Sequence, residues 1–287
     1  MSLSYLSACP VGCGGELLVT NIDMPEGPLL RCAACGQLIS QCSEEKYWQS
    51  MREFNTAEGT QPRPDALTRR FQRSRKYLEH IEKMLNKPRN AIRILDVGCS
   101  SGYFLSVAKQ MGFYAEGVEP GLEAVQTAHA AGLTIHDGLL ENVVLPEQSF
   151  DAITLFEVVE HLKDARDTIQ RCNRLLRPGG VLVIGTANTA SWTFMAMKSR
   201  WEYFHIEKHG GHVSFFNPAS MRIMAQQNGF VIEKIQTRSV SFLERDACHP
   251  VIYRTYKIIS ELIEAPSRLL GKGHDMLVFM RKVQTVN

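Results

Sequence analysis

Three groups of residues in this 287-residue chain could do chemistry. The first is built on sulfur. Cys9 and Cys13 form a C-x-x-x-C pair and Cys32 and Cys35 a C-x-x-C pair, with 18 residues between them. Gly14 and Gly36 follow the second cysteine of each pair and permit a tight knuckle turn. Four thiolates suit tetrahedral zinc, and an ion with no open position stabilises a fold rather than catalysing a reaction. The first pair is one residue longer than the common spacing, so Cys42 could stand in for one ligand.

The second group is carboxylic. "ILDVGCSSGYF", Ile94 to Phe104, runs an apolar stretch into Asp96 and then into Gly98 and Gly102. The pattern is D-x-G-x-x-x-G, with Ser100 where a middle glycine might stand, and it is not the G-x-G-x-x-G of dinucleotide enzymes. A strand, a glycine turn and a helix together present free N–H groups to a ligand, and the two glycines allow close approach. Asp96 would repel a pyrophosphate there. It suits a ligand with an ammonium group and no phosphate, and S-adenosylmethionine is such a ligand. Glu119 follows 23 residues later, placed to accept hydrogen bonds from ribose hydroxyls, and Asp137 is placed to meet an adenine amino group. The third group, Glu157, Glu160 and His161 in "EVVEH" and His212 in "HGGH", offers a base or ligands. Read as helix, positions i, i+3 and i+4 share one face, so the first three converge.

These groups need elements to hold them. From Ile92 onward strand-like and helix-like segments alternate: "IRILDVG", "GYFLSVAKQMG", "YAEGVEP", "GLEAVQTAHAAG", "LTIHDG". "SFDAITLFEVV" starts as a strand and passes into a helical run to about Leu176. "RPGG" is a turn, and "VLVIGTA" is a strand. That alternation predicts an α/β fold with a doubly wound, Rossmann-like sheet, mostly parallel with an antiparallel last strand, binding ligands at the carboxyl ends of its strands. "NPASMRIMAQQNGF" reads as a helix with an Asn cap and a Gly stop, and "FVIEKIQTRSVSF" and "DMLVFMRKV" as two strands. The expected divisions are a zinc-ribbon module over 1–45, a helical linker and cofactor cover over 46–90, and a catalytic domain over 91–287. A helical insertion near 247–270 would pack over the sheet edge, form a lid, or lie on a membrane surface.

"ILDVGCSSGYF", "AEGVEP", "HDG", "SFDAITLFEVVEHL" and "LLRPGGVLVIGT" together resemble the successive motifs of the class I S-adenosylmethionine-dependent methyltransferases, over about residues 75 to 240. "EVVEHL" and "GGHVSFFNPASM" resemble the branch that contains the ubiquinone O-methyltransferases. The resemblance implies S-adenosylmethionine bound by Asp96, Gly98, Ser100, Gly102, Glu119 and Asp137, and O-methylation of a small molecule. That acceptor would be a sugar, a lipid-linked precursor or a secondary metabolite. It also implies a divalent ion at Glu157, Glu160, His161 and His212. In the alternative, Glu160 and His161 only orient the helix and the pocket, and His212, or another histidine from His205 to His212, acts alone as base or is a pocket-wall residue. The segment "SWTFMAMKSRWEYFHIEKHGGH" is read as part of the acceptor pocket, against a packed aromatic cap.

Composition sets bounds on this reading. Charged residues make up 22% and the net charge is +2, so bulk electrostatics select no partner. No stretch reaches the roughly 20 apolar residues of a membrane helix, "MSLSYLSACPVGCGG" lacks the charged-then-apolar order expected of a signal peptide, and the clustered cysteines lead us to expect a reducing cytoplasm. Between Gln61 and Arg93, ten Lys/Arg face three Asp/Glu on a segment with helical spacing. This basic face is read as solvated cover over the cofactor or as a contact to a phosphate on a small substrate. A zinc ribbon could also mark an RNA methyltransferase, but residues 1–50 carry five acids and two bases, and phosphate binding needs a positive surface. A catalytically idle binding module is the third class.

Overall fold

The computed structural model describes residues 4–56, 64–206, 210–240 and 250–284. Period-two burial builds its main sheet. In β4 (Arg93–Val97), Ile94 packs on one face and Leu95 and Val97 on the other. β7 (Phe150–Phe156) repeats this with Ala152 against Ile153 and Leu155, and β8 (Leu176–Ala187) with Val181 and Val183 against Leu182 and Ile184. Strands apolar on both faces need cover on both sides. α2 (Pro64–Leu85) and α3 (Tyr103–Gln110) cover one face through Leu78, Ile81, Phe104 and Val107. α5 (Ala165–Leu175) and α7 (Pro218–Gln227) cover the other through Ile169, Cys172, Met221 and Met224.

The sheet has seven strands. β5 (Tyr114–Glu119) and β6 (Thr134–Asp137) extend it from β4 on one side, and α4 (Leu122–Ala130) connects them. On the other side β7 and β8 are followed by β11 (Asp275–Lys282) and β10 (Phe230–Arg238), in the order β10-β11-β8-β7-β4-β5-β6. Neighbours from β6 to β8 are parallel, and β11 runs antiparallel to both β8 and β10. The doubly wound expectation with an antiparallel last strand is thus met. Strand order reverses at β4, whose carboxyl end is the switch point where such sheets take ligands.

The cysteine-rich start forms three short strands, β1 (Leu17–Val19), β2 (Leu30–Cys32) and β3 (Leu38–Ile39), followed by α1 (Glu44–Thr56). Their sheet gains a fourth strand, β9 (Ser214–Phe215), which follows β8 in the chain. Leu38 pairs with Phe215 and Ile39 with Ser214, so the ribbon shares a ladder with the larger unit.

Two local readings change. "EVVEHL" does not continue as helix: Glu157 is left-handed (φ 57°), and a single 3-10 turn covers Val159–His161. α5 starts only after Asp164, whose carboxylate accepts the Asp167 N–H at 2.9 Å as an N-cap. "RPGG" is not a turn but the start of β8, with Leu176 paired to Phe150 ahead of a register shift. α8 (Pro250–Leu269) supplies part of the expected helical insertion, and 241–249 lie outside the described residues. No helix among the described residues is long and apolar enough to cross a membrane.

Candidate active site

The carboxyl ends of β4, β5 and β7 open into a cavity of about 800 Å³. Asp96, Ser100, Glu119, Glu157 and His161 line it from the sheet, and Arg70, Arg73 and Tyr77 from α2. Asp96 is only 4% exposed. Thr154 Oγ1 donates to its Oδ1 at 2.6 Å. Burial pushes its carboxyl up to about 7, against the hydrogen bond from Thr154. Glu119 is held by backbone: Ser100 N–H donates to Oε2 and Gly121 N–H to Oε1, each at 2.8 Å. Burial raises its carboxyl too, opposed by those two donors.

Gly98 (φ 68°) and Gly102 (φ 78°) both hold left-handed backbone, and of the two Gly98 lines the cavity. A Cβ at Gly98 would sit 2.5 Å from Val158, and one at Gly102 would sit 2.3 Å from Leu133, so Gly102 lets α3 pack against α4. Gly102 does not line the cavity. Ser100 is also left-handed (φ 50°), a conformation that costs a residue with a Cβ. Asp137 pairs in register with Glu119 at the end of β6 but is exposed and absent from the cavity wall, where Gly138 stands instead.

On the β7 side, Glu160, His161 and His212 bring one ligand atom each within 4.8 Å of one another. Glu157 lies outside that trio and reaches it through Tyr203. The Tyr203 hydroxyl is 3.0 Å from Glu157 Oε2 and hydrogen-bonded to Glu160 Oε1, while Thr186 Oγ1 donates to Glu160 Oε2 at 3.1 Å. One phenolic proton cannot satisfy two carboxylates. Glu157 is exposed to the solvent of the cavity, and the protein crowded around it together with the Glu160 charge raises its carboxyl. His212 Nδ1 lies 2.9 Å from the Tyr203 carbonyl oxygen, which fixes the tautomer and leaves Nε2 facing Glu160 Oε1 at 3.9 Å. Burial holds the His161 imidazole below its usual range, and its Nδ1 is buried with no hydrogen-bond partner among the described residues. Two imidazoles and a carboxylate, with the second nitrogen of one ring already tied to a carbonyl, fit a divalent cation.

The four cysteines also meet. Cys9 and Cys35 sulfurs are 3.5 Å apart, Cys13 and Cys32 3.3 Å, and all four lie within 4.8 Å. A tetrahedron with Zn–S near 2.3 Å needs sulfurs about 3.8 Å apart, so the donor set fits zinc. Cys42 stands outside the cluster and donates to the Ser43 carbonyl at 3.2 Å.

The described aromatic rings of the segment after β8, which includes α6 (Trp192–Met197), do not line the cavity. Phe194, Trp201, Tyr203 and Phe204 pack with Ile22, Leu29 and Leu38 of the ribbon, and none of them lines the cavity. Apolar rings gain more from the ribbon's underside than from solvent, which is the packed-cap alternative. His205 is exposed, and His209 lies outside the described residues. Sequence reasoning missed Thr154 and Tyr203. A hydroxyl within the otherwise apolar "FDAITLF" strand was the available signal for Thr154. Nothing local marks Tyr203 apart from its aromatic neighbours.

Comparison with known proteins agrees with this geometry. A family model described as "Methyltransferase domain" matches residues 69–235. A ubiquinone biosynthesis O-methyltransferase of Haemophilus ducreyi is 34% identical over 122 residues, covering 39% of this chain and 52% of that protein. A mitochondrial ubiquinone biosynthesis O-methyltransferase of Homo sapiens is 28% identical over 162 residues, covering 52% of this chain and 44% of that protein. The chain therefore spans about half the length of the curated relatives it matches. A SAM-dependent methyltransferase structure from Archaeoglobus fulgidus shares the fold, with a TM-score of 0.53 at 20% identity over 75% of this chain and 94% of that one. By its sequence motifs, its sheet order and the matched span, the chain belongs to the methyltransferase domain family.

Proposed function

We propose that this protein transfers a methyl group from S-adenosylmethionine to an oxygen of a small-molecule acceptor. The observation that carries the reading is the single cavity shared by Asp96 and Glu119 at one end and by Glu157 and His161 at the other. Two buried carboxylates fit a ligand rich in donors. Asp96 would take the cofactor's ammonium and Glu119 its ribose hydroxyls. Ser100 and Gly98 would form the turn beneath it, Gly102 would fix the helix behind, and Asp137 would stay at the rim near the adenine. When bound, the cofactor supplies an electrophilic methyl on sulfur.

Glu160, His161 and His212 would hold a divalent cation, which supplies Lewis acidity toward an acceptor hydroxyl. Glu157, which lines the cavity beside His161, would receive the hydroxyl proton in its ionised form. Tyr203 orients both carboxylates. Cys9, Cys13, Cys32 and Cys35 would hold a structural zinc in the 1–45 module, and 46–90 would cover the cofactor within the larger 91–287 domain. A cytoplasmic site of action fits the thiol-rich start. Methyl transfer from labelled cofactor into a lysate of source cells tests the reading. We expect label in the small-molecule or lipid fraction, lost on chelation and restored by a divalent ion. Label in RNA would overturn the acceptor class.

A further inference from the structure

The basic face of α2 has a use outside the main cavity. A second cavity of about 350 Å³ opens between α2, the β10–β11 edge and α8. Arg69, Arg73, Lys76, Arg238 and Arg268 line it, against one carboxylate, Glu264. Arg238 faces Asp275 at 3.6 Å. Among the described residues no ion pair engages Arg69, Arg73, Lys76 or Arg268. Arg75 of the same helix behaves otherwise: it pairs with Glu79 at 3.2 Å and stays outside the cavity. Like charges gathered in a concave site repel one another and focus a positive potential, which an anion relieves.

The two cavities are neighbours. Arg73, Tyr77, Arg238 and Leu277 line both. The Tyr77 hydroxyl is buried with no hydrogen-bond partner among the described residues. It stands between them as an unused donor. An anion in the annex would therefore sit one side-chain layer from the space that reaches Glu157 and His161.

We propose that the annex binds a phosphate or diphosphate group carried by the methyl acceptor, so that the acceptor is a soluble phosphate ester. Arg69, Arg73, Lys76 and Arg268 hold the phosphate oxygens, and Tyr77 donates at the junction. The inference rests on the reading of the main cavity as the transfer site. It does not require the cofactor end to be a phosphate site, because Asp96 and Glu119 exclude phosphate there.

The test titrates inorganic pyrophosphate into the purified full chain, alone and after saturation with S-adenosylhomocysteine. Pyrophosphate should bind in both cases without displacing the nucleoside, and more weakly as salt is raised. Arg69→Gln and Arg268→Gln should each lower its affinity roughly tenfold, the effect of losing one charge-assisted hydrogen bond, and Arg75→Gln should leave it unchanged. No binding of pyrophosphate, or equal loss in all three variants, overturns the proposal. Binding of phosphatidylglycerol vesicles through Arg69 and Arg268 without binding of pyrophosphate also overturns it, by making a lipid headgroup the ligand. Failure of S-adenosylhomocysteine to bind, with pyrophosphate still bound, removes the transfer reading and leaves the anion site standing.

Discussion

At the scale of single residues, the site departs from average chemistry at three points. Ser100 holds a left-handed backbone that costs about 1–2 kcal/mol with a Cβ present. Glycine relieves that strain but gives up about 0.4–1 kcal/mol through the freer unfolded chain. Ser100→Gly should therefore gain roughly 0.5–1 kcal/mol in denaturant unfolding. A loss of stability would show that the serine side chain does something the backbone does not. Asp96 gives a pH signature. Burial raises its carboxyl to about 7, so between its unfolded value near 4 and pH 7 the free protein holds the proton, and ionising it costs stability as pH rises. A ligand bringing an ammonium favours the ionised form. Affinity for S-adenosylhomocysteine should rise with pH up to about 7 and level off above it. A flat profile from pH 5 to 8 would contradict the pairing. Tyr203→Phe leaves two carboxylates without their shared donor. It should cost about 1–3 kcal/mol of stability and slow turnover while leaving cofactor affinity intact. Unchanged turnover would remove Tyr203 from the proposed acceptor side.

Elements were legible where periodicity was strong. β4, β7 and β8 alternate or run apolar, α3 and α4 stop at Gly112 and Gly132 in left-handed turns, and α7 carries the Asn217 cap that its sequence announces. The "EVVEHL" stretch was not legible, because its residues are all compatible with helix and the decision lies at Asp164, seven residues downstream of Glu157. An N-cap aspartate settles where α5 begins, and the preceding residues are left to a 3-10 turn that still turns Glu160 and His161 inward. Convergence of these groups thus comes from a turn and from β9 rather than from a helix face. The ribbon is an element-scale prediction of its own. Its strands are two or three residues long and too short to persist alone, so the cysteine cluster must hold them. Cys32→Ser should release zinc and cost about 4 kcal/mol or more, as loss of a structural metal does. Metal analysis finding no zinc in the parent protein would contradict this.

The whole molecule explains why the ribbon and the site were hard to relate from sequence. Cys35 and His212 are far apart along the chain, and no local pattern connects them. The fold does so through β3 and β9: Ser40 N–H donates to the Val213 carbonyl at 2.9 Å, and Val213 N–H donates to the Glu160 carbonyl at 3.0 Å. Asn217 adds a hydrogen bond to the Cys35 carbonyl at 3.3 Å. The cysteine knuckle is thus tied by backbone to the Glu160 turn, while α2 lines the cavity that Asp96 opens into. Long-range pairing of two-residue strands leaves no compositional trace, whereas acids at strand ends do, which is why Asp96 and Glu119 stood out and the ribbon's contact did not. The central claim is that this cavity takes an ammonium-bearing nucleoside through Asp96. Calorimetric titration of S-adenosylhomocysteine into the parent protein and Asp96→Asn at pH 8 tests it most directly. The account predicts binding to the parent, at least a tenfold loss in the variant, and no fall in melting temperature, because the substitution removes a buried charge and keeps the Thr154 contact. Equal affinity in the two proteins would contradict it.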